Sequence, residues 1–510
     1  MKQIVFRADA SQKIGTGHAM RCLALAQAWQ EYGGESSIFA MAMKTPSVES
    51  RLLSEGQQVV DISAHTGSAE DAAQTMAIAR RRKDTCLVVD GYYFGAEYQQ
   101  IIRDAGLRLM VVDDFGRSGP YQSDFLLNQN LHASEALYAG LAPRTRLLLG
   151  PRYALLRREF WPLRGWRRKV NSTGKRVLVT FGGTDPDNVT LKVIHALRQI
   201  QIGALETVVV VGGSNRHYAE LQKAIIDSPI AIRLEHDAAN MPELMAWADL
   251  AVSAGGSTCW EVAFTGLPCL VIALDAPQLI VAQELESRGV AMNAGLHESA
   301  SAAKIGDCIK QLLCSSEHRA RMSMRGQGLI DGKGVDRVVG ALALSQLRLR
   351  RASGADCVQL WKWVNDQAVR TSAFHSGEIS WDEHQQWFFS KLNDPQCVQF
   401  IAVDGRGVPI GQIRFDIHGG EAEVDVSVDK EKRGLGYGAA LIHIGIQELG
   451  RAIPVKAVHA FIKPDNAASG KSFLGAAFKV QGIEEIKGIR SLHLKAEVME
   501  AAAYADEALP

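Results

Sequence analysis

Paired glycines close three successive apolar runs in this chain, FGG at 181–183, VVGG ending at Gly213 and AGG ending at Gly256, and a helical stretch follows each. A β-rich run that stops on glycine and hands over to a helix is the repeating unit of a doubly wound parallel sheet. Such sheets bind ligands just outside the carboxyl ends of their strands. The same alternation runs from Gln3 to about Leu149. IVFRAD, Ser37–Ala40, Gln58–Ile62, CLVVD and LMVVDD read as strands, with helices expected over Met20–Glu31, Ala69–Arg82 and Tyr98–Ala105. A basic, tryptophan-rich connector, PRYALLRREFWPLRGWRRKVNSTGKR, breaks the rhythm before RVLVTFGG restarts it. The expected class is therefore α/β, with two doubly wound halves at 1–155 and 156–345 and a ligand cleft between them.

The 510 residues exceed what a single core supports, and the pattern changes after Ala341. LALSQLRLRRASGAD reads as a charged linker, placed at 346–356 and expected to attach the next domain flexibly. Beyond it a helix at Ser380–Leu392 precedes the strand runs VQFIAV, IGQIRF and EVDVSV, joined by DGRG and HGG turns. This describes a separate mixed α/β domain at 357–497, with 498–510 as a loose tail.

Lys and Arg number 56, as do Asp and Glu, so the chain lacks the basic footprint of a nucleic-acid binder. Val262–Leu274 is too short to span a bilayer and contains Gly266 and Pro268, so no membrane partner is expected. The segment MKQIVFRADASQK has no apolar signal core, and the eight cysteines include no CxxC pair. These features point to a cytoplasmic chain with reduced, mostly buried thiols.

Chemistry concentrates at two places. In the first, Gly15-Thr16-Gly17-His18 lies between a strand and a helix, so backbone amides and an imidazole face the cleft. Met20 stands where a dinucleotide fingerprint needs its third glycine, and no P-loop lysine follows. Across the cleft, SAGGSTCWEVAFTGLP places Ser257 and Thr258 at a helix start and Glu261 one turn in. Hydroxyls and amides there suit a pyrophosphate, and the carboxylate suits ribose hydroxyls. An ordinary N-cap with a capping-box acid has the same spacing. Asp185 and Asp187 in FGGTDPDN fit helix capping and turn roles better than a metal shell, and no metal is expected.

Together, FRADASQKIGTGHAMRCLALAQAW, VVDGYYF, VVDDFGR, DFLLNQN, LLLGPRYALLRREF, FGGTDPDN and SAGGSTCWEVAFTGLPCLVI resemble the UDP-sugar hydrolases of pseudaminic acid biosynthesis. Those enzymes are relatives of the UDP-GlcNAc transferase of peptidoglycan synthesis. The resemblance covers about residues 1 to 340. It implies two Rossmann-like domains in the glycosyltransferase B arrangement and metal-free release of UDP from UDP-2,4-diacetamido-2,4,6-trideoxy-β-L-altrose. His18 then activates or orients the attacking water, and Tyr92 is a site tyrosine, with Tyr93 the neighbouring alternative. Gly17, Gly183, Gly256, Ser257, Thr258, Glu261 and Gln278 hold the UDP-sugar. Pro277 stands where the family's Asn-Gln pair has asparagine.

The second place is VDVSVDKEKRGLGYGAALI, where Arg433, Gly434, Gly436, Tyr437 and Gly438 open a helix after a strand. Spaced glycines let a pyrophosphate approach consecutive amides. With Asn466 downstream, this segment resembles motif A of the Gcn5-related N-acetyltransferases, which implies acetyl-CoA as co-substrate, contacted by Val428 and these residues. Phe473 replaces the tyrosine that many members use as general acid, and Ala477-Phe478 replaces their Gly-Phe pair. Water, Tyr437 or no residue then serves as the proton donor. Glu423, on the strand beside Glu421, is the expected amine base, and Glu383 or His384 the expected border of the acceptor site. The fusion implies 4-N-acetylation of UDP-4-amino-4,6-dideoxy-N-acetyl-β-L-altrosamine, followed by hydrolysis of the product. The rival readings are a UDP-sugar glycosyltransferase fused to an acetyltransferase of other specificity, and a nucleotide-sugar-binding protein whose back domain only binds acyl-CoA.

Overall fold

The computed structural model describes residues 3–498 except 32–33, 83–84, 140, 142–144, 345–346, 406, 435–436, 477 and 487. The chain divides after Val338 into two compact units.

The first unit holds two parallel sheets. Strands β1 (Gln3–Ala8), β2 (Ile38–Met41), β3 (Gln58–Asp61), β4 (Thr85–Asp90), β5 (Arg108–Val112), β6 (Phe125–Asn128) and β7 (Arg146–Leu149) lie in the order 3-2-1-4-5-6-7. β1 and β4 are buried along their whole length, as their near-continuous apolar sequences require of central parallel strands. The sheet includes two strands, in DFLLNQN and LLLG, that fall outside the expected strand set. The second sheet comprises β8 (Arg176–Thr180), β9 (Glu206–Val211), β10 (Ala231–His236), β11 (Leu250–Ser253), β12 (Cys269–Ala273) and β13 (Ala291–Leu296), in the order 10-9-8-11-12-13. Apolar clusters cover both of its faces, one around Phe160, Trp260 and Val271 and the other around Val179, Ile194 and Ile309.

Doubly wound sheets take ligands where their strand order reverses. In each sheet the strand order reverses once, between β1 and β4 and between β8 and β11, and the diverging loops leave a crevice at each reversal. His18 follows β1, Tyr92 follows β4, Gly183 follows β8, and Gly256 to Thr258 follow β11.

The second unit carries one mixed sheet. Its strands are β14 (Arg348–Arg351), β15 (Cys397–Val403), β16 (Pro409–His418), β17 (Glu421–Val428), β18 (Ala457–Ile462), β19 (Lys479–Ile486) and β20 (Ile489–Glu497), in the order 14-15-16-17-18-20-19. A two-residue turn of Gly419 and Gly420, with φ of 59° and 85°, joins β16 to β17. Only glycine-like residues take positive φ at both turn positions without strain. Residues 348–356 are a correction to the expected free linker. Arg348–Arg351 pairs antiparallel with β15, and Ser353 and Asp356 close a capping box that Arg350 ties down at 2.6 Å.

Candidate active sites

In the first unit the helix Gly17–Glu31 begins directly after the glycine loop, so His18 and Arg21 share its first turn. His18 Nδ1 lies 2.6 Å from Asp90 Oδ1, and Arg21 donates from Nε to Asp90 Oδ2 at 2.6 Å. The Asp90 carboxyl is fully buried, and burial alone opposes its ionisation. Arg21 and His18 outweigh that and hold it well below the usual carboxylate range. An ionised carboxylate only accepts, so His18 donates to it from Nδ1, and Nε2 has no hydrogen bond to a described residue. Arg21 also donates to Asp114 at 2.8 Å, and Asp114 accepts from Asn130 at 2.8 Å and from the Tyr92 hydroxyl at 3.2 Å. Burial and Asp114 both raise the Tyr92 phenol, which keeps its proton. The Tyr92 ring meets His18 edge-on at 5.3 Å between centroids. Tyr93 makes none of these contacts.

Two cavities open here. One, of about 320 Å³, is lined by His18, Arg21, Tyr92, Asp114, Asn130 and Trp260, among others. The other, of about 350 Å³, is lined by Gly182, Gly183, Gly212, Thr258, Glu261 and Arg157, among others. Both share Ile14, Gly17, Gly256, Ser257 and Gln278 as walls, so they meet at that ring. The loops are closely fitted. A Cβ on Gly183 would lie 2.5 Å from Thr16 Oγ1, and one on Gly255 would lie 2.5 Å from the Gln278 carbonyl oxygen.

The Ser257 side chain makes no cap hydrogen bond, so the ordinary N-cap reading of SAGGST does not hold. Glu261 is paired instead with Arg157, whose Nε donates to Oε1 at 3.0 Å, and burial raises its carboxyl against that cation. Gln278 accepts the Gly255 amide at 3.0 Å and so braces the loop that carries Gly256 and Ser257. Asp185 caps the helix Val189–Arg198, taking the amides of Val189 and Thr190 at 2.9 Å each and the Thr190 hydroxyl at 2.6 Å. Among the described residues no cluster of three or more His, Cys, Asp or Glu is placed to hold a metal.

In the second unit β17 and β18 run parallel but pair only at Ala422 with Val458 and Glu423 with His459. β17 continues to pair with β16 as far as Val428, so it parts from β18 and leaves a slot. A cavity of about 450 Å³ passes along this slot, lined by Val424 to Val428, by Ala460 to Ile462, and by Arg433, Gly434, Gly438, Asn466, Ser472 and Phe473. Arg433 Nε donates to the Val428 carbonyl at 2.9 Å and Nη1 to Asp366 at 2.7 Å, while Nη2 is buried without a partner among the described residues. Gly434 has φ of 79°, and a Cβ on Gly438 would lie 2.9 Å from Ser472 Oγ. Asn466 caps the helix Ala467–Gly475. Tyr437 is buried, and Gly436 lies outside the described residues. Phe473 is a buried core residue packed edge-on against Phe478.

Comparison with known proteins agrees with this division. Residues 176–333 match the glycosyltransferase family 28 C-terminal domain, and residues 346–478 match an acetyltransferase (GNAT) domain. The chain joins these two domains. An uncharacterised protein of Methanocaldococcus jannaschii is 22% identical over 507 residues, covering 94% of this chain and 96% of its own. The UDP-2,4-diacetamido-2,4,6-trideoxy-β-L-altropyranose hydrolase of Campylobacter jejuni is 27% identical over 247 residues, 48% of this chain and 81% of that protein. A spermidine N-acetyltransferase of Vibrio cholerae, solved with CoA and spermine, aligns with 31% of this chain and 99% of its own at 18% identity and a TM-score of 0.29.

Within the GNAT domain Glu423 is exposed and does not line the cavity, whereas Asp425, two residues along the same face, does. Glu383 is consumed in a capping box with Ser380, while His384 lines the cavity and bonds the Cys357 carbonyl at 3.1 Å. In the first unit, sequence reasoning missed Arg21, Asp90, Asp114, Asn130 and Arg157. The first four lie inside quoted motifs as charged or amide residues at strand ends and in the helix's first turn. Arg157 lies in the connector and inside the quoted LLLGPRYALLRREF, among other arginines from which its spacing does not distinguish it.

Proposed function

We propose that the first unit hydrolyses UDP-2,4-diacetamido-2,4,6-trideoxy-β-L-altrose to UDP and free sugar, and that the GNAT domain acetylates the 4-amino group of UDP-4-amino-4,6-dideoxy-N-acetyl-β-L-altrosamine. The observation that carries the first half is the meeting of two cavities beside the His18–Asp90 pair. One offers glycine amides, the Ser257 and Thr258 hydroxyls and Glu261 to a nucleoside diphosphate. The other offers His18, Tyr92 and Asn130 to a sugar. The anomeric carbon then falls at the shared ring, next to the imidazole.

His18 Nε2 takes a proton from water as the water oxygen bonds to the anomeric carbon. The bond from that carbon to the phosphate oxygen breaks, and UDP departs with the electron pair. Asp90 holds the imidazole in the required tautomer and stabilises the imidazolium that forms. UDP is a good leaving group, so a base for water is the main requirement. The named activity of the Campylobacter jejuni relative supports this substrate choice.

In the GNAT domain, the backbone around Gly434 and Gly438, Arg433 Nη2, Asn466 and Ser472 suit a CoA pyrophosphate and pantetheine. Acetyl-CoA supplies the acetyl group when bound. Phe473 offers no proton to the departing thiolate, which leaves water or Tyr437 as donor.

The test of the hydrolase is UDP release from the pre-acetylated UDP-sugar in buffer alone. Release by the wild type without any added acceptor is the expected result. Release only on adding an acceptor sugar identifies a glycosyltransferase instead.

A further inference from the structure

Besides the residues proposed for acetyl-CoA, the lining of the GNAT-domain cavity is polar and aromatic, with Gln399, Gln412, Arg414, Asp425, Trp387 and Arg370. Asp425 stands out among them. It is the first residue on its face of β17 beyond the last pair with β18, so its side chain flanks the slot through which an acetyl group must pass. Its side chain is 56% exposed. Oδ2 accepts from Gln412 Nε2 at 2.9 Å, and no described residue donates a hydrogen bond to Oδ1.

The two neighbouring cations, Arg414 and Arg370, make their shorter contacts with other groups. Arg414 donates from Nε to Asp416 at 3.0 Å and stacks on Trp387 at 4.9 Å from the ring centroid, with its Nη1 3.8 Å from Asp425. Arg370 donates to the carbonyls of Val364 at 2.6 Å, His375 at 3.2 Å and Gly377 at 3.1 Å. An exposed carboxylate at a slot, oriented by a glutamine and paired with Arg414 only at 3.8 Å, keeps Oδ1 open and is suited to an ammonium group.

We propose that Asp425 is the specificity-determining residue of the acceptor site, holding the primary amine of the acceptor at the slot through a charge-assisted hydrogen bond to Oδ1. This rests on the acetyltransferase reading above and assigns to Asp425 the contact with the amine that the sequence placed at Glu423. Trp387, 39% exposed beside it, forms an apolar wall for the ring that bears the amine.

The experiment is steady-state acetyl transfer by the full chain, with free thiol as readout and the UDP-linked 4-amino sugar as acceptor, comparing wild type, Asp425→Asn and Asp425→Glu. Asp425→Asn is expected to raise the KM for the amine roughly 10- to 100-fold. The KM for acetyl-CoA should stay unchanged, and Asp425→Glu should recover part of the loss. CoA binding by calorimetry, equal in all three proteins, shows that the domain is folded. If the wild type transfers acetyl and Asp425→Asn does so with an unchanged amine KM, the assignment of Asp425 is overturned and the acetyltransferase reading stands. If the wild type releases no thiol with this amine, the acceptor reading fails, and this proposal with it.

Discussion

In the proposed reaction His18 acts as the base, and Asp90 is placed to hold its Nδ1 proton. Replacing His18 with alanine is expected to lower UDP release roughly 10²- to 10⁴-fold, the range of a lost general base, as measured by coupled UDP assay. Asp90→Asn keeps the shape but no longer enforces the tautomer. Its kcat should fall with little change in KM. The same residue links pH to stability. Its folded carboxyl is held below the value of about 3.9 found in an unfolded chain, so between the two the unfolded state binds more protons. The stabilisation is fully present above that window and drains away as pH falls through it. Asp90→Asn lacks it, so the gap in urea midpoint between wild type and variant should be wide at pH 7 and narrower at pH 3.5. A gap that widens in acid contradicts the assigned pairing.

At the scale of elements, the loops that follow β1, β4, β8 and β11 make the site, and their caps hold them. Asp185 is buried at φ 41° and satisfies two helix amides and a hydroxyl. Asp185→Ala is expected to cost about 1–2 kcal/mol, read as a lower denaturation midpoint of the first unit, with thiol release by the GNAT domain unchanged. Asp185→Asn should cost less, because asparagine tolerates the left-handed backbone and keeps one acceptor. Much of this level was legible in the sequence. The glycine pairs placed the ends of β8, β9 and β11, and Ser380 placed a helix start. The strands of DFLLNQN and LLLG escaped because four-residue runs without flanking glycine pairs carry little periodicity. The linker was misread because a strand at a sheet edge, such as Arg348–Arg351, can be as charged as a loop. The hydrogen-bonded partners of His18 were hidden for another reason. Asp90, Asp114 and Asn130 converge only when parallel strands set their ends side by side, a proximity that no local pattern encodes. On β17 the choice between Glu423 and Asp425 depended on where β18 departs, which is equally a matter of tertiary pairing.

At the scale of the whole molecule, the residues lining each described cavity belong to one compact unit, so the two proposed reactions should be separable by substitution. In the full chain, His18→Ala should lower UDP release to the extent given above and leave thiol release intact. Changes confined to one unit should add to changes in the other without coupling. In the proposed function the two units carry consecutive reactions on one nucleotide sugar. The most direct measurement gives the full chain the 4-amino UDP-sugar, with and without acetyl-CoA, and follows UDP and free thiol together. UDP release is expected only when acetyl-CoA is present, accompanied by one thiol for each UDP. UDP release at the same rate without acetyl-CoA, or thiol release that is never followed by UDP, would contradict it.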